Sequence, residues 1–298
     1  MAFESHSRAA GTRRVTGDLA ASYAHCEAQL RAEDHDAWLA ALFAPAAARP
    51  HLHALGAFAL KIGHVRERVR QPIAGEIRLQ WWQDVVDRER TDEATAHPVA
   101  AALVDTIARC SLPASLFGDI LDAQRLALYD EPPADLATLE RRCIALHGTP
   151  IRLAARVLGR TGKAIDAAAD DAGVALGIAA LLGRNGDTGS SRLVSVPTDL
   201  LRRDGSAQGE VAGAPAMPPR HLAVAELRAV AGRRLAALRQ RRPDIGPAGP
   251  AFLTAALVEP RLTLAAKRLP TSSRHDAEVA RWRRQWRMWR AARKGGVL

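Results

Sequence analysis

Leu52, Leu55, Phe58, Ile62, Val65 and Val69 follow one another at steps of three and four residues. That spacing draws one apolar stripe along a helix but would scatter over both faces of a strand. Similar spacings return along most of the chain, and period-two alternation is almost absent. An all-α chain is therefore expected. Proline and aspartate mark where its helices begin and end. Asp34 or Asp36 can cap a helix through Trp38, Leu39, Leu42 and Phe43 that closes near Pro45. Pro50 opens the Leu52 stripe and Pro72 breaks it. Further helices start near Pro98 (Val99, Leu103, Ile107) and Pro113 (Leu116, Phe117, Ile120, Leu121, Leu128).

After a turn at EPPAD, residues 131–135, a helix carries Leu139, Cys143 and Leu146 until His147-Gly148-Thr149-Pro150 imposes a kink or a break. Ala169, Gly173, Gly177 and Ala180 form a small-residue stripe within residues 166–183. Such a stripe permits close helix contact or leaves room for a long ligand. RNGDTGSSR, residues 184–192, reads as a polar loop, and residues 204–219 as a low-complexity, mobile insert. Helices at roughly 220–241 and 250–267 precede a basic end. No repeat period indicates a solenoid. The expected organisation is a flexible N-terminus (1–19), one large helical bundle over 20–292 and a short tail (293–298).

Composition removes several classes of function. The formal charge is +10, and over half of it lies from Thr271 onward, where seven Arg and one Lys meet only Asp276 and Glu278. Charge placed so locally suggests an anionic surface rather than a uniformly basic nucleic-acid binder, and no groove-reading motif accompanies the arginines. Cys26, Cys110 and Cys143 are too far apart for a zinc motif or a disulfide framework, so reduced thiols are expected. The first residues lack the apolar run of a secretory signal, and no segment has the length of apolar residues needed to span a bilayer. The expected location is cytoplasmic, with peripheral attachment at an inner membrane or a place in the mitochondrial matrix left open. His51 and His53 lack a carboxylate placed to complete a metal site, and Ser190-Ser191 lacks the setting of a nucleophile.

Residues 75–90, GEIRLQWWQDVVDRER, set two of the thirteen aromatic residues side by side among charges. At about 100° per residue, Ile73, Ile77, Leu79, Trp81, Trp82, Val85 and Val86 cover roughly two thirds of a helix, which predicts a mostly buried element. Arg78 falls within that apolar arc. It needs a partner there, which is either an internal carboxylate or a ligand.

Together LGAFALKIGHVRERV, GEIRLQWWQDVV, LHGTPIRLAARVLG, GIAALLGRNGDTGSSRLVSVPTDLL and the basic tail, in that order, resemble the squalene/phytoene synthase family over about residues 20–292. The G-x-x-R-x-Q-x-W run of residues 75–82 looks most like the branch holding mitochondrial complex I assembly factor 6 and its bacterial relatives. The resemblance implies an isoprenoid-synthase-type helical bundle with a central cavity. It also implies a reaction: enzymes of the family join two prenyl diphosphates head to head. Two aspartate-rich segments hold Mg²⁺, which holds and neutralises the diphosphates.

The stretch matching the first such segment reads Gly63-His64-Val65-Arg66-Glu67, and only Glu67 is a carboxylate. The second matches residues 182–187, upstream of Val196-Pro197, and only Asp187 is. Lys61, His64, Arg66, Arg68 and Arg70 make the first segment basic; Arg184 and Arg192 do so for the second. Clustered cations disfavour a bound Mg²⁺ but could hold a phosphate directly, while Arg68 and Arg70 read better as a solvated face. Asp170-Asp171 lies too early, and helix capping near Asp166 fits this acidic start.

These residues predict no catalytic or metal site and no cofactor, with His64, Arg66, Arg78, Trp82, Arg184 and Arg192 as cavity or ligand-binding positions. The expected role is a non-catalytic scaffold or assembly factor, for respiratory complex I by resemblance. Its partners would be complex I subunits, an anionic membrane surface, and an isoprenoid or other lipid. The alternative is a prenyltransferase using Glu67 and Asp187, with Mg²⁺. In the tail, Val279, Trp282, Trp286 and Trp289 share one stripe beside Arg281, Arg283, Arg284, Arg287 and Arg290. Either the stripe packs on the core, or Trp282, Trp286, Trp289, Arg283 and Arg287 meet a membrane surface.

Overall fold

Capping side chains and prolines start several helices where the spacing predicts. In the computed structural model, which describes residues 19–183, 196–203, 220–268 and 279–297, every regular element among the described residues is helical. Helix α1 covers residues 19–33. Asp34 accepts a hydrogen bond from the Ala37 N–H at 3.0 Å and starts α2 (His35–Leu42). Pro50 sits in the first turn of α3 (Arg49–Gly63), where its missing N–H leaves nothing unpaired. The apolar stripe runs on through Val65 and Val69, but the helix does not: α4 (Val65–Arg68) is a separate turn. Prolines also open α5 (Pro72–Val86) and α7 (Pro98–Arg109), with the short α6 (Thr91–Ala96) between them. Helix α8 (Ala114–Ala127) completes the N-terminal half.

The chain continues through α9 (Leu136–Cys143), capped by Asp135. The predicted break at residues 147–150 is a π turn (Ile144–Gly148), and Pro150 lies in the first turn of α10 (Thr149–Val157). The extra residue of a π turn absorbs the proline without ending the helical path. Next come α11 (Lys163–Gly183), α12 (Thr198–Arg203), α13 (Arg220–Gln240), α14 (Arg242–Ile245), α15 (Gly249–Phe252), α16 (Val258–Arg268) and α17 (Arg281–Arg293).

Two apolar clusters fill the bundle. One gathers Phe58, Trp82, Leu103, Phe117 and Leu121 from α3, α5, α7 and α8. The other surrounds α11, whose Ala168, Ala172, Val174, Ala175, Ile178 and Ala179 are fully buried. The small-residue stripe of α11 serves close contact. A Cβ on Gly173 would lie 2.5 Å from the Gly148 backbone, and one on Gly177 would lie 2.5 Å from the Cys143 sulfur. Along that stripe the π turn occupies the space a ligand would need.

Candidate functional site

The corner between α3 and α4 holds the segment expected, by resemblance, to match the first aspartate motif. Helix α3 ends at Gly63, His64 caps it, and buried Val65 and Val69 pin the following turn to the core. The polar side chains then point away. His64 Nδ1 lies 3.5 Å from the Glu33 carboxylate. Arg68 approaches the same carboxylate at 3.9 Å. Arg66 grips Asp130 in a two-pronged ion pair, with Nε donating at 3.1 Å. Glu67 is exposed, as is Arg70.

The predicted basic face is therefore substantially neutralised from within, since Glu33 and Asp130 meet His64, Arg66 and Arg68. A phosphate would have to displace Asp130 to take Arg66. The corner does not fit Mg²⁺ either. Hard divalent cations need several oxygen ligands at once, and Gly63, His64 and Glu67 provide one carboxylate. Among the described residues no group of three or more His, Cys, Asp or Glu is placed to hold a metal ion. Asp187, Arg184 and Arg192 lie outside the described residues, as does the insert at 204–219.

Helix α5 departs from the expected two-thirds burial. Gly75, Leu79, Trp82, Val85 and Val86 are its buried residues, whereas Ile73 and Ile77 are 60 % and 66 % exposed. Arg78 is exposed and makes no ion pair or hydrogen bond among the described residues. The expected buried partner for Arg78 is thus corrected: the neighbouring helices cover only the Gly75–Leu79–Trp82 line, where Gly75 admits Leu128 of α8. Trp82 packs edge-on to Phe58 at 5.4 Å and to His97 at 5.5 Å and is part of the core. Trp81 is half-buried and donates its indole N–H to Glu93 at 2.8 Å.

Asp170 and Asp171 are not caps. Asp170 pairs with Arg152. Asp171, 4 % exposed, accepts from Arg234 at 3.2 Å and Arg241 at 2.9 Å, and Arg234 also bridges to Glu140 at 2.6 Å. Buried Asp36 is held likewise by Arg261 and Arg284, each at 3.2 Å. Nor is His51 idle. Its Nδ1 lies 3.0 Å from both Tyr23 Oη and Thr106 Oγ1, and Tyr23 donates to Asp105 at 2.8 Å. No local spacing signals these groups, because their members lie tens to hundreds of residues apart. All three cysteines are free. Burial pushes the Cys26 and Cys143 thiols up to about 12, which keeps them protonated and poor nucleophiles.

Helix α17 packs on the core through a line other than its tryptophan stripe, so the expectation that the stripe itself is core is corrected. Met288 and Ala291 are fully buried against Ala40, Leu253, Ala256 and Leu257. Trp282, Trp286 and Trp289 are 64 %, 52 % and 45 % exposed. Arg287, expected at the surface stripe, instead pairs with Glu259 at 3.0 Å, and Arg284 pairs with Asp36. Both follow from their position on the side of α17 that carries Met288.

A model of the squalene/phytoene synthase family matches residues 30–290. The chain is 28 % identical to the "NADH dehydrogenase (ubiquinone) complex I, assembly factor 6" of Bos taurus and of Homo sapiens, over 62 % of its own length and 55 % of theirs. It thus spans about half the length of these curated relatives. It is 34 % identical to the "Bifunctional protein CrtB/UppS" of Streptomyces coelicolor, over 36 % of this chain and 19 % of that one. Among solved structures, a dehydrosqualene synthase superposes with a TM-score of 0.76 at 16 % identity, covering 94 % of this chain and 98 % of that one. The squalene synthase HpnC of Alicyclobacillus acidocaldarius gives 0.69 at 20 % identity, covering 85 % and 98 %. These likenesses establish the isoprenoid-synthase helical fold.

Proposed function

The chain belongs to the squalene/phytoene synthase family, and from that premise we propose that it is a non-catalytic member, a scaffold that assists assembly of a respiratory complex I. The α3–α4 corner carries the reading. Head-to-head condensation needs several carboxylates aimed at one Mg²⁺ cluster, and the segment 63–67 supplies a single carboxylate, Glu67, while Glu33 and Asp130 meet the local cations. A fold that keeps its helices and loses this donor set retains a surface for binding rather than a site for diphosphate departure. The named role of the assembly-factor relatives supports a protein partner among complex I subunits.

The runner-up is prenyl transfer through Glu67 and Asp187 with Mg²⁺, favoured by the partial similarity to a CrtB-type protein. One assay separates the two. Purified protein given farnesyl or geranylgeranyl diphosphate with Mg²⁺ or Mn²⁺ should release no diphosphate above a heat-killed control. Turnover that disappears in Glu67→Gln or Asp187→Asn would overturn the scaffold reading. In host cells lacking the chain, assembled complex I on native gels should fall and return on re-expression.

A further inference from the structure

We propose that the outer face of α17 is an interfacial anchor that lies in the headgroup layer of an anionic bilayer. The proposal holds whether or not the protein catalyses a reaction. Trp282, Trp286 and Trp289 line one side of the helix at steps of four and three, all exposed. Each carries a guanidinium over its ring: Arg283 on Trp282 at 5.1 Å, Arg290 on Trp286 at 4.7 Å and Arg293 on Trp289 at 4.9 Å. A guanidinium stacked this way spends its apolar face on the ring and keeps its N–H edge free for phosphate oxygens. The ring itself suits the boundary between headgroup and acyl chain.

The opposite face explains why the stripe is available. Met288 and Ala291 seat α17 on the core, and Arg284 and Arg287 tie it to Asp36 and Glu259. The helix is thus held rigidly without its tryptophans. Arg281, Arg283, Arg290, Arg293 and Lys294 have no carboxylate within ion-pair distance among the described residues. Beside them, Arg31 stacks on Trp38 at 5.0 Å, extending the same pairing onto α1 and α2.

Charge decides among possible occupants. A second copy would bring the same cations against themselves. Protein interfaces favour a centre depleted of charge with a polar rim, but here no tryptophan lacks its stacked cation. A flat layer of phosphates matches that alternation along the helix.

Sedimentation of the full chain with vesicles of phosphatidylcholine, alone or mixed with phosphatidylglycerol, provides the test. Wild-type protein should pellet with the mixed vesicles and stay in solution with the neutral ones. Replacing Arg283, Arg290 and Arg293 with Gln should weaken that binding on the order of a hundredfold, at about fivefold per cation. Replacing the three tryptophans with Ser should abolish it while the thermal melt remains that of the wild type. If the triple variant melts early, Trp282→Ser, the most exposed site, should still weaken binding with an unchanged melt. Equal binding to neutral vesicles, or a Trp282→Ser variant that binds like wild type, overturns the proposal. So does a wild-type protein that ignores both vesicles but forms a dimer lost in the tryptophan variants.

Discussion

Helices α5 and α17 both carry clustered tryptophan among charge, and they treat it in opposite ways. In α5, Trp82 is 5 % exposed and wedged between Phe58 and His97. In α17, Trp282, Trp286 and Trp289 are exposed, and the buried line passes through Met288 and Ala291 instead. Both helices start near the surface and both have a mixed polar face. The difference lies in the small residue that sets the approach. Gly75 lets Leu128 close against α5, and Trp82, about two turns on, lies on the same buried line. On α17, Ala291 and the unbranched Met288 fit against Ala40 of α2 and the turn at residues 253–257, and the bulky rings are left outside. A tryptophan's destination is thus decided by which face its neighbours can approach closely.

The largest expected effect would break this contrast if it failed. Trp82→Ala should destabilise the protein by about 3–5 kcal/mol, whereas Trp286→Ala should stay within about 0.5 kcal/mol in the same denaturant melts. Comparable losses at both sites would mean that the outer stripe is core. Within α17 itself, Met288→Ala should cost about 2–5 kcal/mol, which equilibrium unfolding would register. A silent Met288→Ala would detach the helix from the fold as described.

The tryptophan pair of α5 also rests on His97, whose Nδ1 accepts the Ala100 N–H at 3.2 Å and so caps α7. Burial pushes this imidazole below the ordinary histidine value, helped by nearby Lys61. As pH falls, the unfolded chain therefore takes up this proton before the folded one. Stability from neutral His97 is complete above about 6.5 and is lost as pH drops from there toward the depressed folded value. His97→Asn keeps a capping acceptor without titrating. It should flatten that part of the stability curve relative to wild type, as read by urea melts across the pH range. The smallest effect is expected at Arg78. Exposed and unpaired among the described residues, Arg78→Met should shift stability by less than about 0.5 kcal/mol; a loss of several kcal/mol would restore the buried ion pair.

Helix class, most helix starts and the basic composition of the α3–α4 corner were legible because each depends on residues close in sequence. Pro50, Pro98 and Asp34 act within one turn, and Gly63-His64-Val65-Arg66-Glu67 states its single carboxylate directly. The faces of α5 were not legible. A helical wheel groups Ile73 and Ile77 with Trp82 by polarity, yet burial depends on which neighbours arrive, and none among the described residues covers that side. The small-residue stripe of α11 allowed either a ligand or a close partner, and only the position of Gly148 decides between them. The roles of Asp36 and Asp171 were hidden for a different reason. Their arginines come from distant helices, and no local pattern announces a pairing across the chain.

The Asp36 pairing has a consequence for the order of events during synthesis. Asp36 is 225 residues ahead of Arg261, which donates to it at 3.2 Å, and Arg284 follows later still. At roughly 5–20 residues per second, a ribosome delivers Arg261 some ten to forty-five seconds after Asp36. Until then α2 has neither its counter-charges nor the surfaces of residues 253–257 and α17 that cover Ala40. The nascent N-terminal half must therefore wait, its carboxylate hydrated and that flank open, for the last helices to emerge and close it.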